Sequence, residues 1–407
     1  MNCRHCAMPL EHSLIDLGFA PPANAYLQAE DLSSPEMYYP LRVKVCHRCW
    51  LVQTEDYARA EELFSADYAY FSSTSSSWLD HAACYTRMII DRLQLGPENF
   101  VIEVASNDGY LLKNFMAAQI PCLGIEPTAS TAAAAEALGV TVAREFFGEA
   151  LAHRLASEGR RADLIVGNNV YAHVPDINDF TRGLAAALKP EGVVTLEFPH
   201  IMPLIERAQF DTVYHEHFSY LSLTTVARIF TMAGLRAWDV EELPTHGGSL
   251  RVYGCHAAAP ISTTDSVGSL LTREEQFGLT APQIYAGFQS RADRVKDDLL
   301  AFLIDQKRAG RRVAAYGAAA KGNTLLNYAG VRPDLLPYVC DAATSKQGKF
   351  MPGSHIPIRS PEALRENPPD DLIILPWNIA HEVRTQLADL ARSGTRFVTA
   401  VPELSFL

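Results

Sequence analysis

The chain has 407 residues, 48% apolar and 20% charged, with a formal net charge of −12. That length predicts about two or three domains rather than one core, and no apolar run is long enough to span a bilayer. The acidic balance argues against a general nucleic-acid binder but allows a local basic pocket for a small anionic substrate.

The first residues, Met1-Asn2-Cys3-Arg4-His5-Cys6, contain no signal-peptide core, which predicts a cytoplasmic protein without structural disulfides. Four cysteines fall into two pairs, Cys3-x-x-Cys6 and Cys46-x-x-Cys49; Cys84, Cys122, Cys255 and Cys340 are scattered and read as buried small residues. Each pair can present two thiolates from a tight turn, and two such turns close a tetrahedral zinc site with no open position. A redox pair is the alternative. The spacer between the knuckles, residues 7–45, is longer than in a compact ribbon, so strands within it must bring them together. His5 and His47 read as bystanders.

Residues 50–54 read as a strand, followed by a helical and polar stretch to about residue 67. Residues 68–77 mix Tyr68, Tyr70 and Phe71 with hydroxyls, a pattern for a lid at a domain junction rather than a bare linker. Residues 78–93 are helical. Buried strands follow at 100–104, 122–125, 163–167 and 192–197, separated by helical segments, which indicates a wound parallel sheet. The ligand of such a sheet lies at the carboxyl ends of its strands. A long helical stretch, 281–308, links this sheet to a second series of strands at 312–316, 338–341, 372–375 and 397–400. The expected class is α/β: a small zinc-binding domain (1–66), a central Rossmann-like parallel sheet (67–285) and a C-terminal Rossmann-like domain (286–407). That self-contained layout permits a monomer.

Glu103-x-Ala105-x-Asn107-x-Gly109 has the spacing of the acidic-x-Gly-x-Gly-x-Gly turn of class I methyltransferases. Small residues there let backbone approach S-adenosylmethionine (SAM). Glu126, ending the second strand, can accept both ribose hydroxyls, and Asn168 stands at a further strand end. NAD is the rival, but its pyrophosphate requires three glycines. In the C-terminal domain, Gly317 to Gly322 has P-loop spacing with Asn323 in place of the lysine, which argues against ATP hydrolysis. The turn and helix start, with Lys321, Gly322 and Asn323, could still hold a diphosphate through backbone N–H groups; a tight turn that holds nothing is the alternative.

Residues 214–217, Tyr-His-Glu-His, gather four groups able to move or orient protons. Together with Glu-Val-Ala-Ser-Asn-Asp-Gly-Tyr-Leu-Leu at 103–112, Asn-Asn-Val-Tyr-Ala-His-Val at 168–174, Thr-His-Gly-Gly-Ser-Leu-Arg at 245–251 and Tyr-Gly-Ala-Ala-Ala-Lys-Gly-Asn-Thr at 316–324, and with the cysteine knuckles, the chain resembles the three-domain C-methyltransferases of nucleotide-linked deoxysugar biosynthesis. The resemblance covers almost the whole length. It implies a SAM-dependent enzyme acting at carbon 3 of a TDP-linked 4-keto-6-deoxy sugar, with a C-terminal domain that helps hold the nucleotide. It also implies that His217 is the base and that Glu216 orients it or contacts the sugar. Tyr214 and His173 then surround the sugar, and Tyr68 reaches the same pocket. His215 reads as structural. The segment 246–251 reads as a glycine-allowed turn between two strands, bordering the site by resemblance, with Arg251 steadying the loop. Lys346 and Lys349 could meet phosphates or solvent. Two other functions compete: methylation of a small molecule that is not a sugar nucleotide, and a non-catalytic protein that keeps the sheet for binding.

Overall fold

The structure, a computed structural model, describes residues 1–57 and 71–407, so the candidate lid residue Tyr68 lies outside the described residues. Strands β1 (His12–Ala20), β2 (Tyr39–Val45) and β3 (Val52–Thr54) form an antiparallel N-terminal sheet. In β2 the period-2 alternation turns Leu41, Val43 and Val45 inward. β1 and β2 fill the spacer between the cysteine knuckles.

The central sheet contains β4 (Val101–Val104), β5 (Cys122–Ile125), β6 (Val142–Ala143), β7 (Ala162–Asn168) and β8 (Leu188–Pro199), all paired in parallel. β4 is buried on both faces, as expected for a continuous apolar run under helices. The next strand, β9 (Ser219–Tyr220), leaves this sheet and pairs with β3, Val52 against Tyr220. β10 (Leu235–Leu243) and β11 (Ser249–His256) then form a hairpin, and β11 adds antiparallel to β8. The full order is β10-β11-β8-β7-β4-β5-β6. The expected parallel sheet therefore carries an antiparallel edge, and residues 246–248 form its hairpin turn.

The C-terminal sheet is built from β12 (Val313–Tyr316), β13 (Val339–Cys340), β14 (Ile358–Arg359), β15 (Asp371–Ile374), β16 (Arg396–Thr399) and β17 (Ser405–Phe406), in the order β14-β13-β12-β15-β16-β17. In both α/β sheets the chain moves outward on one side of the first strand and then returns to the other. The crevices of the two sheets thus lie at the carboxyl ends of β4 and β12.

The stretch 281–308, expected as one helix, is split at Gly287 into Gln283–Ala286 and Phe288–Arg308. The longer piece buries Phe288, Ala292, Val295, Leu299, Phe302 and Leu303 along one stripe. One apolar cluster runs from Leu14 and Ile15 of β1 through Phe210 and Val213 to Leu299, Val313 and Ile373. Apolar burial thus clamps the N-terminal and C-terminal sheets around the segment that precedes Tyr214. Cys84 departs from expectation: it is exposed on the helix Ser76–Leu93, and Cys122 is half-buried, whereas Cys255 and Cys340 are buried. Among the described residues no helix is long and apolar enough to cross a membrane.

Candidate active site

A cavity of about 570 Å³ opens at the end of β4 and extends toward the end of β12, lined by strand ends of the central sheet and by segments that follow strands of the other two sheets. Its volume lies in the range of small-ligand sites, about 300–1,000 Å³. At one end the chain leaves β4 through Ala105 (φ 57°), Asn107 (φ 49°) and Gly109 (φ 77°). The turn keeps left-handed geometry at three positions although only one is glycine; an alanine there costs about 1–2 kcal/mol. A Cβ on Gly109 would come within 3.1 Å of Val140 and 3.3 Å of the Ala135 backbone, so the small residue lets the neighbouring helix pack against the turn.

Glu126 is buried at the end of β5 and fixed from two sides, its Oε2 accepting from the Asn107 amide and its Oε1 from the Thr128 amide, both at 2.9 Å. Ala105, Asn107, Glu126 and Asn168 all line the cavity. Both polar atoms of the Asn168 amide are buried without a partner among the described residues. Buried amides left this way are costly unless something binds them, so this end fits a polar ligand such as the amino-acid and ribose portions of SAM. Glu103 and Gly109 do not line the wall. Glu103 sits beneath the turn beside Tyr110, and burial pushes its carboxyl well above the usual range.

At the other end, His217, His173, Tyr214 and Glu216 share the wall. The His217 ring packs 3.9 Å from the Tyr214 ring and 4.6 Å from the His173 ring, centroid to centroid. Its Nδ1 lies 2.9 Å from the Thr212 carbonyl oxygen. A carbonyl only accepts, so Nδ1 carries the proton and Nε2 the lone pair. Burial, reinforced by the neighbouring His173, lowers the pKa of His217 well below the ordinary histidine value. Burial also pushes His173 and His246 down to about 4. Three neutral imidazoles therefore face one cavity at neutral pH. His215 turns away, its Nε2 3.3 Å from the Tyr39 carbonyl oxygen in the N-terminal sheet.

The C-terminal domain adds Ala319, Ala320, Lys321, Lys346, Pro376 and Asn378 to the wall. Lys321 donates to Asn378 at 2.9 Å and lies over the Trp377 ring; burial lowers its ammonium to about 8. Gly322 and Asn323 are not in the wall. A Cβ on Gly322 would meet Leu375 at 2.7 Å, and Asn323 donates to the Ala23 carbonyl at 2.6 Å. Their contacts are inter-element packing rather than cavity surface. Lys349 also lies outside the wall, while Arg251 is buried against Glu197 at 2.9 Å and Glu241 at 3.1 Å. His246 does face the cavity, so the 246–248 segment is both a hairpin turn and a border of the site.

Sequence reading missed Asn24, Thr212 and Asn378. Thr212 acts through its backbone carbonyl, which no side-chain pattern marks. Asn24 lies almost two hundred residues from the cluster it joins.

Away from the cavity, the four sulfurs of Cys3, Cys6, Cys46 and Cys49 lie within 4.8 Å of one another, with Cys3 3.5 Å from Cys49 and Cys6 3.4 Å from Cys46. Tetrahedral zinc with bonds of about 2.3 Å places thiolates about 3.8 Å apart, so the set fits zinc. Gln53 donates to Cys3 at 3.2 Å, the kind of outer contact that orients a ligand.

Family descriptions match three successive parts of the chain: a zinc-binding domain over residues 3–64, a methyltransferase domain over 79–240 and a C-methyltransferase C-terminal domain over 244–402. The chain is 33% identical over 402 residues to the C-methyltransferase NovU of Streptomyces niveus, covering 99% of this chain and 96% of that one. Solved structures similar to its central part include the PH0226 protein of Pyrococcus horikoshii OT3 (12% identity, TM-score 0.38, covering 46% of this chain and 95% of that one). Another is the magnesium protoporphyrin IX methyltransferase of Synechocystis PCC 6803 with bound SAM (13% identity, TM-score 0.33, covering 44% and 79%).

Proposed function

This chain belongs to the three-domain, SAM-dependent C-methyltransferases that carry zinc in the N-terminal domain, and from that premise we propose its substrate and the roles of its residues. The substrate is a nucleotide-linked 4-keto-6-deoxy sugar, with TDP as the nucleotide and carbon 3 as the site of methylation. One observation carries this reading: a neutral His217, its proton held on Nδ1 by Thr212, lies in the same cavity as Glu126, Asn168 and Lys321.

A hydrogen on carbon next to a ketone becomes removable when a base takes it while the developing oxyanion is stabilised. His217 Nε2 takes that proton. Its depressed pKa keeps the ring in the base form through neutral pH and makes the imidazolium ready to lose the proton afterwards. Tyr214 and His173 flank the ring and stabilise the oxyanion. Glu216 accepts from a sugar hydroxyl. When bound, SAM supplies an electrophilic methyl group; Glu126 would hold its ribose, and Asn168 with the 105–109 turn its amino-acid portion. Lys321 and Lys346, presented by residues 286–407, meet the diphosphate, where a cation is worth most out of bulk water.

The test supplies SAM with TDP-, GDP- and CDP-linked 4-keto-6-deoxy sugars and looks by mass spectrometry for a methyl group bound to carbon. The expected product comes from the TDP series. His217→Asn should lower turnover by about 10²- to 10⁴-fold while SAM binding persists by equilibrium titration. Full turnover in that variant removes His217 as the base. Stabilisation by SAM without a response to any nucleoside diphosphate points instead to a substrate that is not a sugar nucleotide.

A further inference from the structure

Asn24 belongs to Pro21-Pro22-Ala23-Asn24-Ala25-Tyr26-Leu27, which leaves β1 and runs along the C-terminal domain. This segment is tied down almost residue by residue. Asn323 donates to the Ala23 carbonyl at 2.6 Å, and the Tyr26 hydroxyl donates to the Ala318 carbonyl at 2.6 Å. Leu27 and Phe350 exchange backbone hydrogen bonds of 3.1 and 2.9 Å. From this fixed position the Asn24 side chain points the other way, into the central domain. Its Nδ2 donates to both oxygens of Glu216, at 2.8 and 2.9 Å, and both side chains line the cavity.

An amide nitrogen can only donate, so it matches a carboxylate acting as an acceptor. Bonding both oxygens from one nitrogen also fixes the plane of the carboxylate. Glu216 is buried, so this contact lies where bulk solvent has little access. We propose that Asn24 is a positioning residue for the reaction: a loop of the N-terminal domain, pinned by the C-terminal domain, aims the Glu216 carboxylate of the central domain at the methyl acceptor. This inference rests on the reading of Glu216 as a substrate contact. It gives the N-terminal domain a part in the chemistry besides holding zinc, and it completes the acceptor end only when all three domains are docked.

Among the described residues, the titratable groups around the pair include His173, which bonds the Glu216 backbone, Tyr214 and His217 beside it in the chain, and Tyr26, Asp341 and Lys346 from the facing loops. The test uses full-length, zinc-loaded protein with SAM and a TDP-linked 4-keto-6-deoxy sugar. Asn24→Ala should lower kcat by about 10²-fold, the cost of misplacing a reacting group by about 1 Å, with the Kd for SAM unchanged. Asn24→Asp sets two carboxylates face to face, which coexist only by sharing a proton. At saturating substrate its kcat should survive at low pH and fall as pH rises, a limb separate from the KM change expected in native protein as Lys321 loses its proton near 8. The acid limb set by His217 and His173 should be common to both. Native kcat in Asn24→Ala overturns the proposal, as does an Asn24→Asp profile parallel to native. Glu216→Gln separates the two levels: at native rate it sinks the reading of Glu216 itself, whereas a slow Glu216→Gln beside a fast Asn24→Ala sinks only the positioning role.

Discussion

The central and C-terminal sheets each run a parallel strand into a left-handed turn and then a helix, yet they use that turn for different ends. After β4, the turn at Ala105, Asn107 and Gly109 stays open to the cavity, with Glu126 braced by two backbone amides and Asn168 holding an unpartnered buried amide. After β12, most groups are already occupied. The Ala318 carbonyl accepts from Tyr26 and Lys346, Asn323 bonds Ala23, and Gly322 packs on Leu375. Lys321 is the side chain of that turn that adds charge to the cavity wall. Similar architecture therefore does not imply a similar ligand. A ligand belongs where buried polar groups have not been satisfied by the protein itself.

The sharpest way to break this comparison is at Glu126. Glu126→Ala should weaken SAM binding by about 10- to 100-fold, given about 1.5–3 kcal/mol for hydrogen bonds to a charged group, as read by equilibrium titration. The C-terminal turn should behave differently. Lys321→Met should raise KM for the nucleotide-linked substrate by about 10-fold, one charge-assisted contact, and leave the Kd for SAM alone. If Lys321→Met weakens SAM as strongly as Glu126→Ala does, the division of labour between the sheets fails.

The smallest expected effect concerns stability and separates the histidine-lined wall from the lysine-lined one. His173 and His246 are held at about 4 in the folded protein by burial, below the unfolded histidine value of about 6.5. The unfolded chain therefore binds more protons between those values, so this contribution is complete above about pH 6.5 and is lost as pH falls toward 4. Calorimetry should show Tm falling over that window. His246→Gln should flatten the fall, and Lys346→Met, which removes a wall lysine that does not act on either ring, should not.

Much of the fold was legible because its signals are local. The apolar runs at 101–104 and 372–374 lie within strands β4 and β15, and the cysteine spacings meet in one cluster. The turn after β4 could be read although two glycines are replaced, because Ala105 and Asn107 still adopt the left-handed geometry. Other features escaped. β9 is two residues long and pairs with a strand far earlier in the chain, too short for any alternation to register. The break at Gly287 lies inside a continuous apolar stripe that periodicity reads as one helix. Of the candidate substrate residues, Lys321 lies in the wall, while Gly322 and Asn323 serve packing, because P-loop spacing cannot say which side of a turn a neighbouring domain will occupy.

The sequence by itself determined the parts made within a few residues: two cysteine knuckles, the turn that follows β4, and a tetrapeptide dense in proton-bearing groups. Spacing along the backbone fixes such geometry before the chain is folded. Tertiary structure alone decided how that tetrapeptide divides, turning His215 to the N-terminal sheet and His217 to the cavity, holding the His217 proton on Nδ1 by a backbone carbonyl that accepts from it, and setting Asn24 against Glu216. Those relations depend on how three domains dock, and docking is driven by apolar burial, which is non-directional and leaves no residue pattern to announce which polar groups it will bring together.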